Sequence, residues 1–221
     1  MTDRNLICFF SWGRRELVEK SFTNLLESIR PQDKLLVVDQ GAYNLDFYMR
    51  HLGKIDFLTF FKENYEIGPV WDYVKSLVIW KKTISEKTFG GSRPSDKARA
   101  WVPDFVNIVQ SDTIGKKGWI SRLVKVFDSK ENIGIVTGYN NLVEGEVLRK
   151  DGDILIKTLT AGVQMMMRTE LFLELVDGMP CKSEDRKICL MNDKVGKVIG
   201  VLPDEIVHIG FGKGKERGLF L

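Results

Sequence analysis

The chain has 221 residues, 43% of them hydrophobic and 29% charged, with a formal net charge of +3. Such values belong to a globular chain with one sizeable core and exclude a disordered or fibrous protein. The mild positive balance suits an anionic ligand and falls short of the strongly basic footprint of a dedicated nucleic-acid binder.

In chain order, "LICFF" (6–10) predicts a strand, after which Leu17, Val18, Phe22, Leu25, Leu26 and Ile29 recur at helical spacing. "KLLVVD" (34–39) predicts the second strand, "IDFLTFF" (55–61) a weakly helical piece, and residues 69–81 a helix with Pro69 in its first turn. The polar stretch 82–104, with Gly-Gly and two prolines, predicts a long surface loop. "FVNIVQ" (105–110) resumes the strands, followed by a helix near 117–128 and the strand "IGIVTGY" (133–139). "VLRKDGDILI" (147–156), with Asp-Gly at its centre, predicts a hairpin.

"GVQMMMR" (162–168) predicts a further strand whose methionines fill core, with Thr169 capping a short helix. Ser183 caps another helix, with Ile188, Met191 and Val195 facing inward and Gly196 as its stop. Val-, Ile- and Leu-rich strands alternating with helices imply a single doubly wound α/β domain over 1–221, its sheet mostly parallel and covered on both faces.

Cys8, Cys181 and Cys189 lack CxxC spacing, which predicts reduced thiols and argues against a zinc site. The apolar run near the start is too short for a signal-peptide core, and no segment approaches the roughly 18 apolar residues of a transmembrane helix. These features predict a cytoplasmic protein, with peripheral membrane contact left open. The dinucleotide-binding glycine fingerprint, the phosphate-binding Walker loop and the Gly-x-Ser-x-Gly elbow are all absent.

Two acidic residues fall where buried strands end: Asp39 after "KLLVV", and Asp112 in "NIVQSDTIGKKGW". Each is compatible with a plain turn or cap. In an open α/β sheet, however, ligands collect beyond the carboxyl ends of the strands.

Six segments in order resemble the GT-A glycosyltransferases, in particular the inverting family 2 enzymes that use nucleotide-diphosphate sugars. They are "FFSWGRRELVEKSFTNLLESI", "LLVVDQGA", "NYEIGPVWDYV", "FVNIVQSDTIGKKGWISRLV", "AGVQMMMRTELFLEL" and "SEDRKICLMNDKVGKVIGVLPDEIVHIG". The resemblance implies a GT-A fold and transfer of a monosaccharide from a UDP- or dTDP-type donor to a hydroxyl acceptor. That acceptor would be a glycan, a lipid-linked glycan or, given the basic balance, a nucleic acid. It also implies Mn²⁺ or Mg²⁺, because cleaving the donor builds negative charge on a diphosphate and a hard oxygen ligand at a rigid strand end can fix a cation.

By the same resemblance Asp112 is the metal ligand, joined by His208, which follows Pro203-Asp204 at the family's spacing. Asp185, paired with Glu184 at a helix start, is the catalytic base. Asp39 would accept the nucleobase's imide N–H, with Gly41 permitting close approach and Trp12 stacking on base or ribose. Ser11, Asn64, Gly68, Ser111 and Lys213 complete the implied substrate contacts. Gln110 departs from the pattern, standing where the family often has its first Asp, and Tyr73 stands roughly where a second Asn is expected. Two alternatives are a sugar-phosphate nucleotidyltransferase, disfavoured because "FFSWGRRELVEK" lacks that class's Gly-rich basic loop, and a non-catalytic binder with the same fold.

Overall fold

The computed structural model describes residues 3–41, 44–63, 67–88, 101–129, 132–139, 145–176 and 184–210. In chain order its elements are β1 (Asn5–Ser11), α1 (Arg15–Leu26), β2 (Lys34–Gln40), α2 (Leu45–Met49), a 3₁₀ turn (Leu52–Lys54), β3 (Phe57–Phe61), α3 (Ile67–Thr88), β4 (Phe105–Gln110), β5 (Thr113–Gly115) and α4 (Trp119–Ser129). Then follow β6 (Ile133–Thr137), β7 (Val147–Asp151), β8 (Ile154–Lys157), β9 (Gln164–Arg168), α5 (Thr169–Leu175), α6 (Glu184–Lys194), β10 (Val198–Val201) and β11 (Ile206–His208).

Nine strands form one sheet in the order β3-β2-β1-β4-β9-β6-β10-β8-β7. Only β9 and β8 run against the others, as their antiparallel ladders with β4, β6, β10 and β7 show. Alternation along each strand feeds two cores. Leu6, Cys8 and Phe10 of β1 point to the face covered by Trp71 of α3, Phe172 of α5 and Ile188 of α6. Ile7 and Phe9 point to the face covered by Phe22 of α1, Tyr48 of α2 and Trp119 of α4. Burial on both faces explains why these strands read as continuous apolar runs. Cys8 and Cys189 are buried, whereas Cys181 lies outside the described residues.

Four expectations need correction. "IDFLTFF" is not helical: Phe57–Phe61 is an edge strand paired in parallel with β2, and its half-buried aromatics gave no clean alternation. Residues 82–88 are not loop, because α3 continues to Thr88; 89–100 lie outside the described residues. Thr169 does not cap α5. It is the helix's first residue, after Arg168 at the cap position, and its hydroxyl donates to the Pro103 carbonyl at 2.8 Å. Val195 does not face inward: it is exposed, just beyond the end of α6. Gly196 does stop that helix, at φ +72°, and Ser183 lies outside the described residues. Among the described residues no helix is long and apolar enough to cross a membrane.

Candidate active site

Three strand ends lie side by side, because β1 registers Ser11 with Asp39 and Phe10 with Gln110. The candidate residues are carried by the loops leaving this carboxyl edge.

On one side of the edge Asp39 is fully buried, and its Oδ2 accepts the Asn44 backbone N–H at 3.3 Å. Tyr48, from the short helix α2, brings its hydroxyl to Ser11. Burial pushes the Tyr48 phenol above its ordinary value, and the charge of Asp39 adds to the rise. Gly41, at φ +75°, packs against the chain itself: a Cβ there would meet Glu63 Cα at 3.1 Å, so the fold alone requires a glycine. Trp12 leaves 61% of its surface exposed, while its backbone N–H donates to Ser111 Oγ at 3.4 Å. The indole is therefore not packed away under α1. Gly68 is buried in the first turn of α3, and Tyr73 is tied to β3 through Thr59 Oγ1 at 2.7 Å. Asn64 and Lys213 lie outside the described residues.

Beyond β4 the chain turns at Ser111-Asp112 into β5, which pairs with β11 and sets His208 opposite Thr113. The Ile209 N–H donates to the Asp112 carbonyl at 2.8 Å, extending that ladder. His208 Nε2 consequently lies 2.9 Å from Asp112 Oδ2.

Several contacts hold this small ladder in place. Asn24 of α1 bonds both polar groups of Gly115, Ser21 bonds Thr113, and Arg122 of α4 grips Glu205 at the turn before β11. Within that turn Asp204 adopts φ +63°, a conformation that Asp tolerates better than most residues. The Trp119 indole lies against Gly115, where any Cβ would collide.

The donor set fits a divalent cation in its chemistry, with a carboxylate and an imidazole side by side. Asp112 Oδ1 is buried and has no hydrogen-bond partner among the described residues. Gly210 packs directly against the carboxylate, where a Cβ would collide with Asp112 Oδ2. Arg14 Nη2 donates to the Gly210 carbonyl at 2.7 Å and stands 4.0 Å from Asp112 Oδ2. No group of three His, Cys, Asp or Glu residues is assembled among the described residues, so Asp112 and His208 form a two-residue set.

At the start of α6 Glu184 is buried and Asp185 half-buried. Asp185 Oδ2 accepts the Gly162 N–H at 3.2 Å and Oδ1 the Arg186 N–H at 2.7 Å. Gln110 Nε2 donates to the carbonyl of the same Gly162 at 3.1 Å. Sequence reading missed Arg14, Asn24, Tyr48 and Gly162. Their positions follow from contacts between distant segments, and only the Pro-Asp-to-His spacing signalled that the chain returns to Asp112.

No family model and no curated protein matches the chain. Among solved structures, the mannosyltransferase PcManGT from Pyrobaculum calidifontis, in complex with GDP-Man and Mn²⁺, aligns with a TM-score of 0.67 at 14% identity, covering 96% of this chain and 58% of its own. S. aureus TarS 1–349 in complex with UDP-GlcNAc aligns with a TM-score of 0.61 at 13% identity, covering 99% of this chain and 62% of its own. The chain thus spans about three-fifths of the length of these neighbours. The likeness is one of fold: the chain has the α/β architecture of GT-A glycosyltransferases.

Proposed function

We propose that the chain is an inverting glycosyltransferase, a single domain that moves a monosaccharide from a UDP- or dTDP-type sugar to a hydroxyl acceptor. The observation that carries this reading is the Asp112–His208 pair at the carboxyl edge of the sheet, with a buried carboxylate oxygen that has no hydrogen-bond partner among the described residues. One neighbour of this fold holds GDP-Man with Mn²⁺ and another UDP-GlcNAc, which supports a nucleotide-sugar donor. Asp112 and His208 would hold a Mn²⁺ or Mg²⁺ ion, whose positive charge would offset the charge developing on the leaving diphosphate.

The chain's own groups do the rest. Asp39 accepts a hydrogen bond from the base, Ser11 and Gly41 shape the wall beside it, and exposed Trp12 offers a face for stacking. Asn64, Gly68, Ser111 and Lys213 contribute the remaining substrate contacts. Asp185 accepts the acceptor hydroxyl's proton as that oxygen bonds to the anomeric carbon and the bond to the diphosphate breaks, inverting the centre. The acceptor is a glycan, lipid-linked or nucleic-acid hydroxyl met in the cytoplasm, in solution or at a membrane surface.

Thermal-shift measurements with UDP, dTDP and GDP, each with and without Mn²⁺, test the donor and metal assignments together. A ligand that binds only the folded state raises the melting temperature. A Mn²⁺-dependent rise with UDP or dTDP is expected, and no rise with any of the three nucleotides overturns the reading.

A further inference from the structure

We infer that Gln110 is a positioning residue for Asp185, acting through Gly162, and not a metal ligand that has lost its charge. The inference rests on the reading of Asp185 as the base.

Gln110 closes β4 with two bonds to one neighbouring segment. Its backbone N–H donates to the Val163 carbonyl at 3.0 Å, and its side-chain Nε2 donates to the Gly162 carbonyl at 3.1 Å. The other polar group of Gly162, its N–H, donates to Asp185 Oδ2 at 3.2 Å. The Arg186 N–H on Oδ1 is the second fixed point of that carboxylate. The side chain at 110 therefore sets where the Gly162 N–H points, and that N–H helps to set where the base sits.

Two features make the link depend on residue type. An ionised acid at position 110 has acceptors only, so it could not bond the Gly162 carbonyl, and two acceptors left facing each other would push the segment away. At position 162 a Cβ would meet Asp185 Cβ at 3.1 Å, a tight contact that the glycine avoids, so Asp185 sits over this N–H without having to shift. The departure from the family pattern at 110 thus has a chemical use: an amide can donate where a carboxylate cannot. Displacing a reacting group by about 1 Å costs on the order of 100-fold in rate, so loosening the link should be visible in turnover.

A positioning role and a lost-ligand role predict opposite signs for Gln110→Glu. If residue 110 is a ligand lacking its charge, the new carboxylate tightens Mn²⁺ and speeds turnover; if it positions Asp185, turnover falls. The test measures UDP–Mn²⁺ binding by calorimetry, and release of UDP or dTDP from a panel of UDP- and dTDP-sugars with water as acceptor. The variants are Gln110→Glu, Gln110→Met, Asp185→Asn and the double Gln110→Met/Asp185→Asn.

Expected for both single Gln110 variants is binding within about twofold of the parent and a kcat lower by roughly tenfold or more with KM little changed. The double variant should be no slower than Asp185→Asn, because a residue acting only through Asp185 has nothing left to position. Tighter Mn²⁺ and faster release in Gln110→Glu, or a Gln110→Met loss that adds in full to that of Asp185→Asn, overturns the inference. Parent-like turnover in Gln110→Met beside a crippled Asp185→Asn removes the positioning role alone, whereas parent-like turnover in Asp185→Asn removes the base and the inference with it. Should no sugar nucleotide be turned over, amide hydrogen exchange at Gly162 decides: faster exchange in Gln110→Met is expected, and unchanged exchange overturns the link.

Discussion

His208 Nε2 lies 2.9 Å from Asp112 Oδ2, and the contact exists because a two-stranded ladder outside the main sheet returns the chain to the end of β4. If this carboxylate and imidazole hold one cation, as proposed, losing either should weaken it. For Asp112→Asn and for His208→Ala the expected result is loss of the Mn²⁺-dependent part of UDP binding, by more than the roughly 10- to 100-fold typical of losing an outer-shell partner. The fold should survive both, since the Ile209–Asp112 bond joins backbone atoms. Calorimetry with UDP in the presence of Mn²⁺ and then of a chelator checks this, and an unchanged metal increment in both variants would remove the pair from the site.

Asn24 tests the scaffold without touching the ligands. Its side chain accepts from Gly115 N at 2.7 Å and donates to Gly115 O at 3.0 Å, clamping β5 to α1. Asn24→Ala deletes two partly buried hydrogen bonds worth about 1 kcal/mol each, so unfolding in urea should lose about 2 kcal/mol. Because β5 carries His208 through its pairing with β11, Mn²⁺-dependent nucleotide binding should weaken as well. A stability loss with metal binding untouched would show that the ladder holds its geometry without the clamp.

Legibility of the fold followed burial. β1, β2, β4 and β6 announce themselves as Val-, Ile- and Leu-rich runs because both faces of the sheet are covered, and the hairpin of β7 and β8 by its Asp-Gly turn. β3 did not, because an edge strand with half-buried aromatics has no clean period. The three-residue strands β5 and β11 are too short for periodicity to register. Asp39, Asp112 and His208 stood out by their order along the chain. Gly162 and Tyr48 could not, since each matters through a contact made across the fold.

Asp39 is buried beside Ser11 and Tyr48, so its prediction concerns the nucleotide and not the sugar. Asp39→Asn keeps the shape and replaces an acceptor with a group that also donates, setting it against the base's imide N–H. Affinity for UDP should fall by about 1–3 kcal/mol, whether or not a sugar is attached, with Mn²⁺ dependence retained. Calorimetry with UDP and a UDP-sugar checks both halves, and an unaltered UDP affinity would place the base elsewhere.

Gly210 supplies the most selective test of the cation site. Its Cα sits against the Asp112 carboxylate so closely that any Cβ would collide with Oδ2, and its carbonyl accepts from Arg14 Nη2 at 2.7 Å. Gly210→Ala must therefore move either the carboxylate or the segment that follows β11. Neither belongs to the two apolar cores, so either can shift without repacking them. The proposed metal site would have no such latitude, because its ligands would have to converge on one point. Mn²⁺-dependent UDP binding should drop by roughly tenfold or more while the melting temperature of the metal-free protein stays close to that of the parent. Parent-like metal binding in Gly210→Ala would mean that the carboxylate relaxes freely, and that the close contact with Gly210 does not set its position for the cation.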